Sequence, residues 1–275
     1  MAQEIISADG TRIPYTVYGL REVKASVIIL PAMGVRASFY RAFAHSLMDW
    51  DIAASVMEYR GLGDSRLRAG RRVDYGYKEH QQDVAALIKR MKDEYPDKPL
   101  YIAGHSFGGH LALMTAGLEP DSFDGIIMLA SGTPWYKAFA GKAGRQIKIM
   151  GWLAPALMAI LGYFPGQKLG FAGREARSQM QDWLQLAKHN RLLIKGVRHD
   201  LEQQVAGYKG RVLCLSFERD NFAPLRASEL LLAKIPEADV DMKSLGDEDI
   251  NGEATHFGWA KKPQRVTRLI SDWLG

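Results

Sequence analysis

The chain has 275 residues, of which 47% are hydrophobic and 24% charged. These are the proportions of an ordinary globular protein, which excludes a disordered tail, a collagen-like chain and a disulfide-stapled miniprotein. The single cysteine, Cys214, excludes an internal disulfide and a cysteine-based metal cluster. The net charge of +5 is uneven: residues 134–210 carry twelve Lys and Arg against four Asp and Glu, and the rest is mildly acidic. Such a block reads either as a subregion facing anionic partners or as a solvated cationic surface. No nucleic-acid module or aromatic–basic stacking pattern accompanies it, so nucleic acid is not an expected partner.

The opening MAQEIISADGTRIPYTVYG has no basic segment followed by a long apolar run, so no secretory signal is expected. The most apolar stretch, Ile149–Phe164, is uncharged but only 16 residues long and contains Pro155. A membrane-spanning helix needs about 20 apolar residues. A cytoplasmic, soluble protein is expected.

In chain order, Glu4–Ser7 and Ile13–Tyr18 flank Asp9-Gly10, a favoured tight-turn pair, and predict a β-hairpin. Ser26–Pro31 is a continuous apolar, β-branched run of the kind buried on both faces of a parallel sheet. Ser38–Leu47 is helical in pattern, and Ile52–Tyr59 is a strand that ends in the glycine-punctuated loop Arg60–Ser65. From Tyr77 to Tyr95 the period becomes helical, with Val84, Leu87, Ile88 and Met91 on one face. Leu100–Ala103 is a short strand, His110–Gly117 a helix and Gly125–Ala130 a buried strand. The alternation then stops. Pro134–Gly207 shows helical stretches and no convincing strand before Arg211–Ser216 resumes the strand pattern. Ala227–Lys234 is helical, Val240–Leu245 is a last strand and Pro263–Leu274 a terminal helix. Strands alternating with helices predict an α/β domain, a parallel sheet covered on both faces, here with a helical insertion.

The most informative motif is Gly104-His105-Ser106-Phe107-Gly108, a G-x-S-x-G sequence between a predicted strand and a predicted helix. A serine on so tight a turn has a strained backbone, and bulky residues two positions away would collide, so both are glycine. The turn exposes the serine oxygen and puts the N–H of Phe107 at a helix N-terminus, suited to an oxyanion.

With this motif in its strand–turn–helix setting, the chain resembles the α/β-hydrolase family. The loop Glu58-Tyr59-Arg60-Gly61-Leu62-Gly63-Asp64-Ser65 is similar to the one that follows the family's fourth strand. The resemblance is nearest to the cap-bearing serine hydrolases: esterases, monoacylglycerol lipases and the serine aminopeptidase-like group. It implies an α/β-hydrolase fold, an eight-stranded mostly parallel sheet with helices on both faces and a helical cap inserted after strand 6. The expected division is a discontinuous core, 1–132 and 209–275, and a cap over 133–208.

The family order is serine, acid, histidine. Of the seven histidines, His45, His80, His105, His110, His189, His199 and His256, only His256 follows the last predicted strand, and the resemblance makes it the base. His105 is expected to point away from Ser106, and His189 and His199 to lie on the surface. Asp220, after the next-to-last strand, takes the place of the acid, with Glu218 as competitor. Asp247, Glu248 and Asp249 are expected as a solvated run. The family's second oxyanion donor comes from the loop after the third strand, often His-Gly-x. Here that loop is Pro31-Ala32-Met33-Gly34, without the His-Gly pair. Pro31 has no N–H, so Met33 is the candidate, either as donor, as pocket lining or as both.

The implied catalyst is a Ser106–His256–Asp220 serine hydrolase working through an acyl-enzyme, with Met33 and Phe107 N–H groups as oxyanion donors and no metal or organic cofactor. A serine at this turn argues against the dehalogenase and epoxide hydrolase chemistry of the same fold, which uses an aspartate there. The expected substrate is a small acyl compound, a carboxylic ester or thioester, with peptide hydrolysis and acyl transfer as variants. A non-catalytic binding protein on this fold is the alternative. In the insertion, Trp152, Leu153, Leu157 and Leu161 are the candidate acyl pocket or interfacial lid, or else pack the cap on the core. Lys137, Lys142, Arg145 and Lys148 upstream suggest peripheral contact with anionic membrane surfaces. Arg66, Arg68, Arg71 and Arg72 hint at an anionic leaving group.

Overall fold

A computed structural model describes residues 3–19, 22–197 and 200–275; the surface position expected of His199 lies outside them. The chain runs β1 (Gln3–Ile6), β2 (Arg12–Tyr18), β3 (Ala25–Leu30), α1 (Arg41–Met48), β4 (Ile52–Met57), α2 (Tyr77–Glu94), β5 (Leu100–His105), α3 (Phe107–Leu118) and β6 (Gly125–Leu129). An inserted segment follows with α4 (Gly141–Leu161), β7 (Phe164–Pro165), α5 (Gly166–Leu169), β8 (Arg174–Glu175), α6 (Arg177–His189) and α7 (Leu201–Ala206). The chain returns through β9 (Arg211–Phe217), α8 (Leu225–Leu232), β10 (Asp239–Leu245), α9 (Asp247–Ile250) and α10 (Gln264–Leu274).

Eight strands form one sheet in the order β1-β2-β4-β3-β5-β6-β9-β10, and only β2 runs antiparallel to its neighbours. This is the eight-stranded, mostly parallel α/β-hydrolase sheet. Strand periodicity divides the apolar runs between two cores. In β3, Ile28 and Leu30 face α2 and α3 with Ile102, Met128 and Cys214, while Val27 and Ile29 face α1 and α10 with Ala103, Leu129 and Leu215. Runs such as SVIIL therefore need no polar alternation, because both faces are covered.

The expected hairpin forms, β1 pairing antiparallel with β2. Gly10, at φ +81°, closes a tight turn by donating its N–H to the Ser7 carbonyl, and the Ser7 N–H donates to the Thr11 carbonyl. Asp9 accepts from the Thr11 N–H and, 2.5 Å away, from the buried Arg60 guanidinium, a tertiary partner that no turn rule anticipates. One expectation is corrected: the inserted segment is not wholly helical, since β7 and β8 form a two-residue antiparallel ladder, too short to show any alternation in the sequence.

The inserted segment is tied to the sheet domain by α7, which packs on α3, and by the loop after β4 and the start of α2. Asp182 of α6 accepts the Tyr77 N–H at 3.1 Å, Ser178 binds Asp74, and Arg174 donates to the Ala69 carbonyl. Arg71 donates to the Ile160 carbonyl at the end of α4. Arg66 lies 3.6 Å from Glu4, and Arg68 donates to carbonyls of its own loop. Arg66, Arg68 and Arg71 thus each have a partner in or beside this region.

Candidate active site

Ser106 sits between β5 and α3 at φ +54°, a left-handed conformation rare for a residue with a Cβ. Packing enforces it. A Cβ on Gly108 would lie 2.1 Å from the Leu30 carbonyl oxygen, and one on Gly104 would lie 2.5 Å from the Gly108 and Gly109 backbone. Strand β5 therefore meets α3 with no room for side chains at these positions, and the half-buried Ser106 is held at the bend. Phe107 is the first residue of α3, so its N–H has no intrahelical acceptor.

Asp220 and His256 come together from the loops after β9 and β10. His256 Nδ1 lies 2.8 Å from Asp220 Oδ2, and both side chains are buried. A carboxylate only accepts, so Nδ1 carries a proton, and in the neutral ring the lone pair is on Nε2. The other oxygen, Asp220 Oδ1, accepts the Phe222 and Ala223 N–H groups at 2.7 and 2.8 Å, which fixes the carboxylate plane. The Trp259 indole N–H donates to the His256 carbonyl, and Phe222 and Phe257 flank the imidazole. Glu218, the competing acid, is exposed.

The acidic run near His256 is solvated as expected, with Glu248 and Asp249 exposed and the Asp247 side chain 43% exposed, and two of its carboxylates also accept hydrogen bonds. Asp247 accepts the Ala254 N–H at 2.7 Å and pairs with Arg219 at 2.5 Å, and Asp249 caps the Gly246 N–H. These bonds join the two loops that carry Asp220 and His256, helped by the Arg219 N–H on the Ala254 carbonyl.

His105 is more than a neighbour of Ser106. Fully buried, it lies with its ring 4.9 Å from that of His256, and its Nδ1 is 2.7 Å from the Tyr40 hydroxyl. Tyr40 also accepts the Ala32 N–H at 2.7 Å, so its own proton goes to His105 Nδ1. Burial and the nearby His256 hold His105 well below the usual histidine range, so it stays neutral. His80 and His110 are likewise buried, lowered to about 4 by burial, and bonded to Gln179 and to Gly132 and Tyr77. His45 and His189 are exposed.

The loop 31–34 is held from several sides. The Tyr59 hydroxyl donates to the Pro31 carbonyl at 2.9 Å, Tyr40 takes the Ala32 N–H, and the Val35 N–H goes back to the Ala32 carbonyl. Met33 and Gly34 N–H groups have no acceptor among the described residues. The Met33 side chain is half-buried against the core, so pocket lining and donor are compatible roles. Tyr40 carried no sequence signal, and Tyr59 and His105 lay in quoted motifs that gave them no such role: their importance comes from partners 8 to 65 residues away.

Of the four candidate pocket or lid residues in the insertion, three are exposed. Trp152 is 77% exposed and Leu153 58%, Leu161 is also exposed, and Leu157 is half-buried. None of the four is in the buried core. The face of α4 that turns inward carries Gly144, Ala154 and Met158, with Ile147 and Met150 partly covered. A cavity of about 720 Å³ lies elsewhere on the insertion, lined by Gln181, Arg191, Leu192 and Lys195 among others, and includes neither Ser106 nor His256.

A family model described as serine aminopeptidase, S33 matches residues 21–245. Human monoglyceride lipase is 28% identical over 107 residues, 39% of this chain and 35% of that protein, so the match spans about a third of that relative's length. A monoacylglycerol lipase of Mycolicibacterium smegmatis is 22% identical over 246 residues, 85% of this chain and 84% of its own. A solved structure titled Est816, an N-acyl homoserine lactone degrading enzyme, superposes with a TM-score of 0.65 at 18% identity, covering 98% of this chain and all of that one. At that identity the likeness is one of fold.

Proposed function

The chain belongs to the serine aminopeptidase, S33 family of α/β hydrolases, and from that premise we propose that it is a serine hydrolase of carboxylic esters, with thioesters as close variants. The observation that carries the reading is the buried Asp220–His256 pair, packed on His105 beside a serine held at φ +54°. In this reading Ser106 Oγ attacks the acyl carbon while His256 Nε2 takes its proton. Asp220 holds the imidazolium that forms. The Phe107 and Met33 N–H groups bind the oxyanion, each such donor being worth about 3 kcal/mol in related chemistry. His256 then protonates the departing oxygen, and water, activated in the same way, releases the acid.

The segment 133–208 acts as the cap. Between Asp124 and Glu175 no acidic residue occurs, while Lys137, Lys142, Arg145, Lys148 and Lys168 do. The same stretch exposes Ile149, Trp152, Leu153 and Ile160 along α4. An apolar helix face flanked by cations alone suits contact with an anionic lipid surface, from which an ester with an apolar acyl chain would be drawn. Two relatives bear names for cleaving monoacylglycerols and the fold neighbour's title names an acylated lactone, substrates of the same ester class.

The test is hydrolysis of p-nitrophenyl esters from two to sixteen carbons beside Ser106→Ala. Turnover in the wild type alone supports the reading, and the preferred chain length measures the acyl site. Inert esters would move peptides, the binding-protein reading and acyl transfer forward.

A further inference from the structure

One buried carboxylate is absent from this mechanism. Glu175, on the short strand β8, is 3% exposed and accepts two hydrogen bonds at 2.7 Å: the Gly173 N–H on Oε1 and the Gln179 side-chain N–H on Oε2. The Gly173 peptide rests on Gly34, the residue after Met33. A Cβ on Gly34 would come within 2.4 Å of the Gly173 nitrogen and 2.6 Å of the Ala172 carbonyl carbon, and one on Gly173 within 3.2 Å of the Gly34 Cα. Both neighbours have the backbone this close approach needs, with Gly34 at φ +74° and Ala172 at φ +60°. The insertion therefore touches the oxyanion loop backbone to backbone, at a peptide that Glu175 holds.

Glu175 is itself anchored to the sheet domain. Gln179 donates to Glu175, so its amide oxygen faces His80 and must accept, and His80 donates from Nε2 at 2.9 Å. The His80 ring packs on Tyr59, which holds the Pro31 carbonyl, and on Phe107, the other proposed donor. A buried polar relay thus runs from α2 through α6 and β8 to Gly34, along the edge of the loop whose other points are fixed by Tyr59 and Tyr40. Satisfied networks of this kind fix geometry, and a missing member leaves buried partners unpaired.

We propose that Glu175 is a positioning residue: by holding the Gly173 peptide against Gly34 it sets the placement of the Met33 N–H, coupling the insertion to the oxyanion donor. This rests on the serine-hydrolase reading above. Its role is indirect, since it reaches the reacting atoms only through Gly173 and Gly34.

The experiment compares wild type, Glu175→Ala, Glu175→Gln and Gly173→Ala with a short p-nitrophenyl ester, active sites being counted with a fluorophosphonate, and measures inhibition by an alkyl trifluoromethyl ketone, whose tetrahedral adduct places an oxyanion in the same site. For Glu175→Ala, kcat should fall about tenfold or more with KM within about twofold, and the ketone should bind weaker by a similar factor. Glu175→Gln should restore both, since an amide can still accept from Gly173 while the Gln179 amide reverses to accept from it and His80, whose Nδ1 has no partner among the described residues, moves its proton there so that Nε2 accepts from Gln179. Gly173→Ala tests the same contact if Glu175→Ala does not fold: its Cβ falls 2.8 Å from Glu175 Oε1 and 3.2 Å from Gly34 Cα and so displaces the carboxylate that holds the Gly173 peptide, and kcat and ketone affinity should drop together. Unchanged kcat and ketone affinity per active site in the folded alanine variants would overturn the proposal, leaving Glu175 with a purely structural role. Activity in Ser106→Ala overturns the hydrolase reading instead, so the two failures are distinguishable.

Discussion

Asp220 uses its two oxygens for different tasks: Oδ1 is held by two backbone N–H groups and Oδ2 holds His256. Asp220→Asn should keep the fold and yet cost about four orders of magnitude in kcat, because an amide N–H facing Nδ1 favours the tautomer with the proton on Nε2. Steady-state kinetics beside a melting curve checks this, and activity within about tenfold of wild type would contradict it. Glu175 makes a second prediction, in stability. Burial raises its pKa from 4.5 to about 7, its hydrogen bonds from Gly173 and Gln179 opposing the shift in part. The folded carboxyl therefore keeps its proton where the unfolded one has lost it. Stability from this group is fully present below about pH 4.5 and is lost as pH rises through 7, by about 3 kcal/mol. Glu175→Gln cannot ionise, so its denaturation midpoint should fall less than that of wild type between pH 5 and pH 8. Parallel declines would contradict this. Asp182, raised to about 6 by burial, loses stability in the same direction in both proteins.

At the scale of elements, the turn at Ser106 has no tolerance. Gly108→Ala puts a methyl group 2.1 Å from a backbone oxygen of β3 and should abolish soluble expression or activity, whereas a folded, active variant would show that β3 and α3 can part. Helix α4 makes the opposite contrast between its faces. Met158→Ala, at a position 1% exposed, should cost about 2–4 kcal/mol in urea denaturation. Trp152→Ser should change stability by less than about 0.5 kcal/mol, yet weaken co-sedimentation with phosphatidylglycerol vesicles. If Trp152→Ser is the more destabilising, the helix faces are assigned the wrong way round. These faces also mark where sequence reading stopped. Periodicity found β3, β4, β5, β6 and β9 because each is a short run covered on both sides. On α4 apolar residues occur almost all round, so the pattern could not say that Met158 turns inward and Trp152 outward. The two-residue ladder of β7 and β8 was invisible for want of length.

Across the whole molecule, the order of strands and the position of the insertion were legible from alternation alone, and the G-x-S-x-G turn located Ser106 within that order. Asp220 was separable from Glu218 only by tertiary structure, which buries one and exposes the other. The supports of the loop 31–34 were not legible at all. Tyr40 and Tyr59 bond it directly, His105 reaches it through Tyr40 and Glu175 through Gly173, from four separate stretches of chain, and nothing local to any of them announces the contact. Glu175 is the first acidic residue after Asp124, a position that counting exposed without giving it a role. The central claim is that this assembly exists to make Ser106 a nucleophile. The measurement that tests it most directly is peptide mass mapping after reaction with an alkyl fluorophosphonate, for wild type and for Ser106→Ala. The account predicts one phosphonyl group per chain, on Ser106, formed together with loss of ester hydrolysis and absent from the variant. A label on another residue, or hydrolysis that survives full labelling of Ser106, would contradict it.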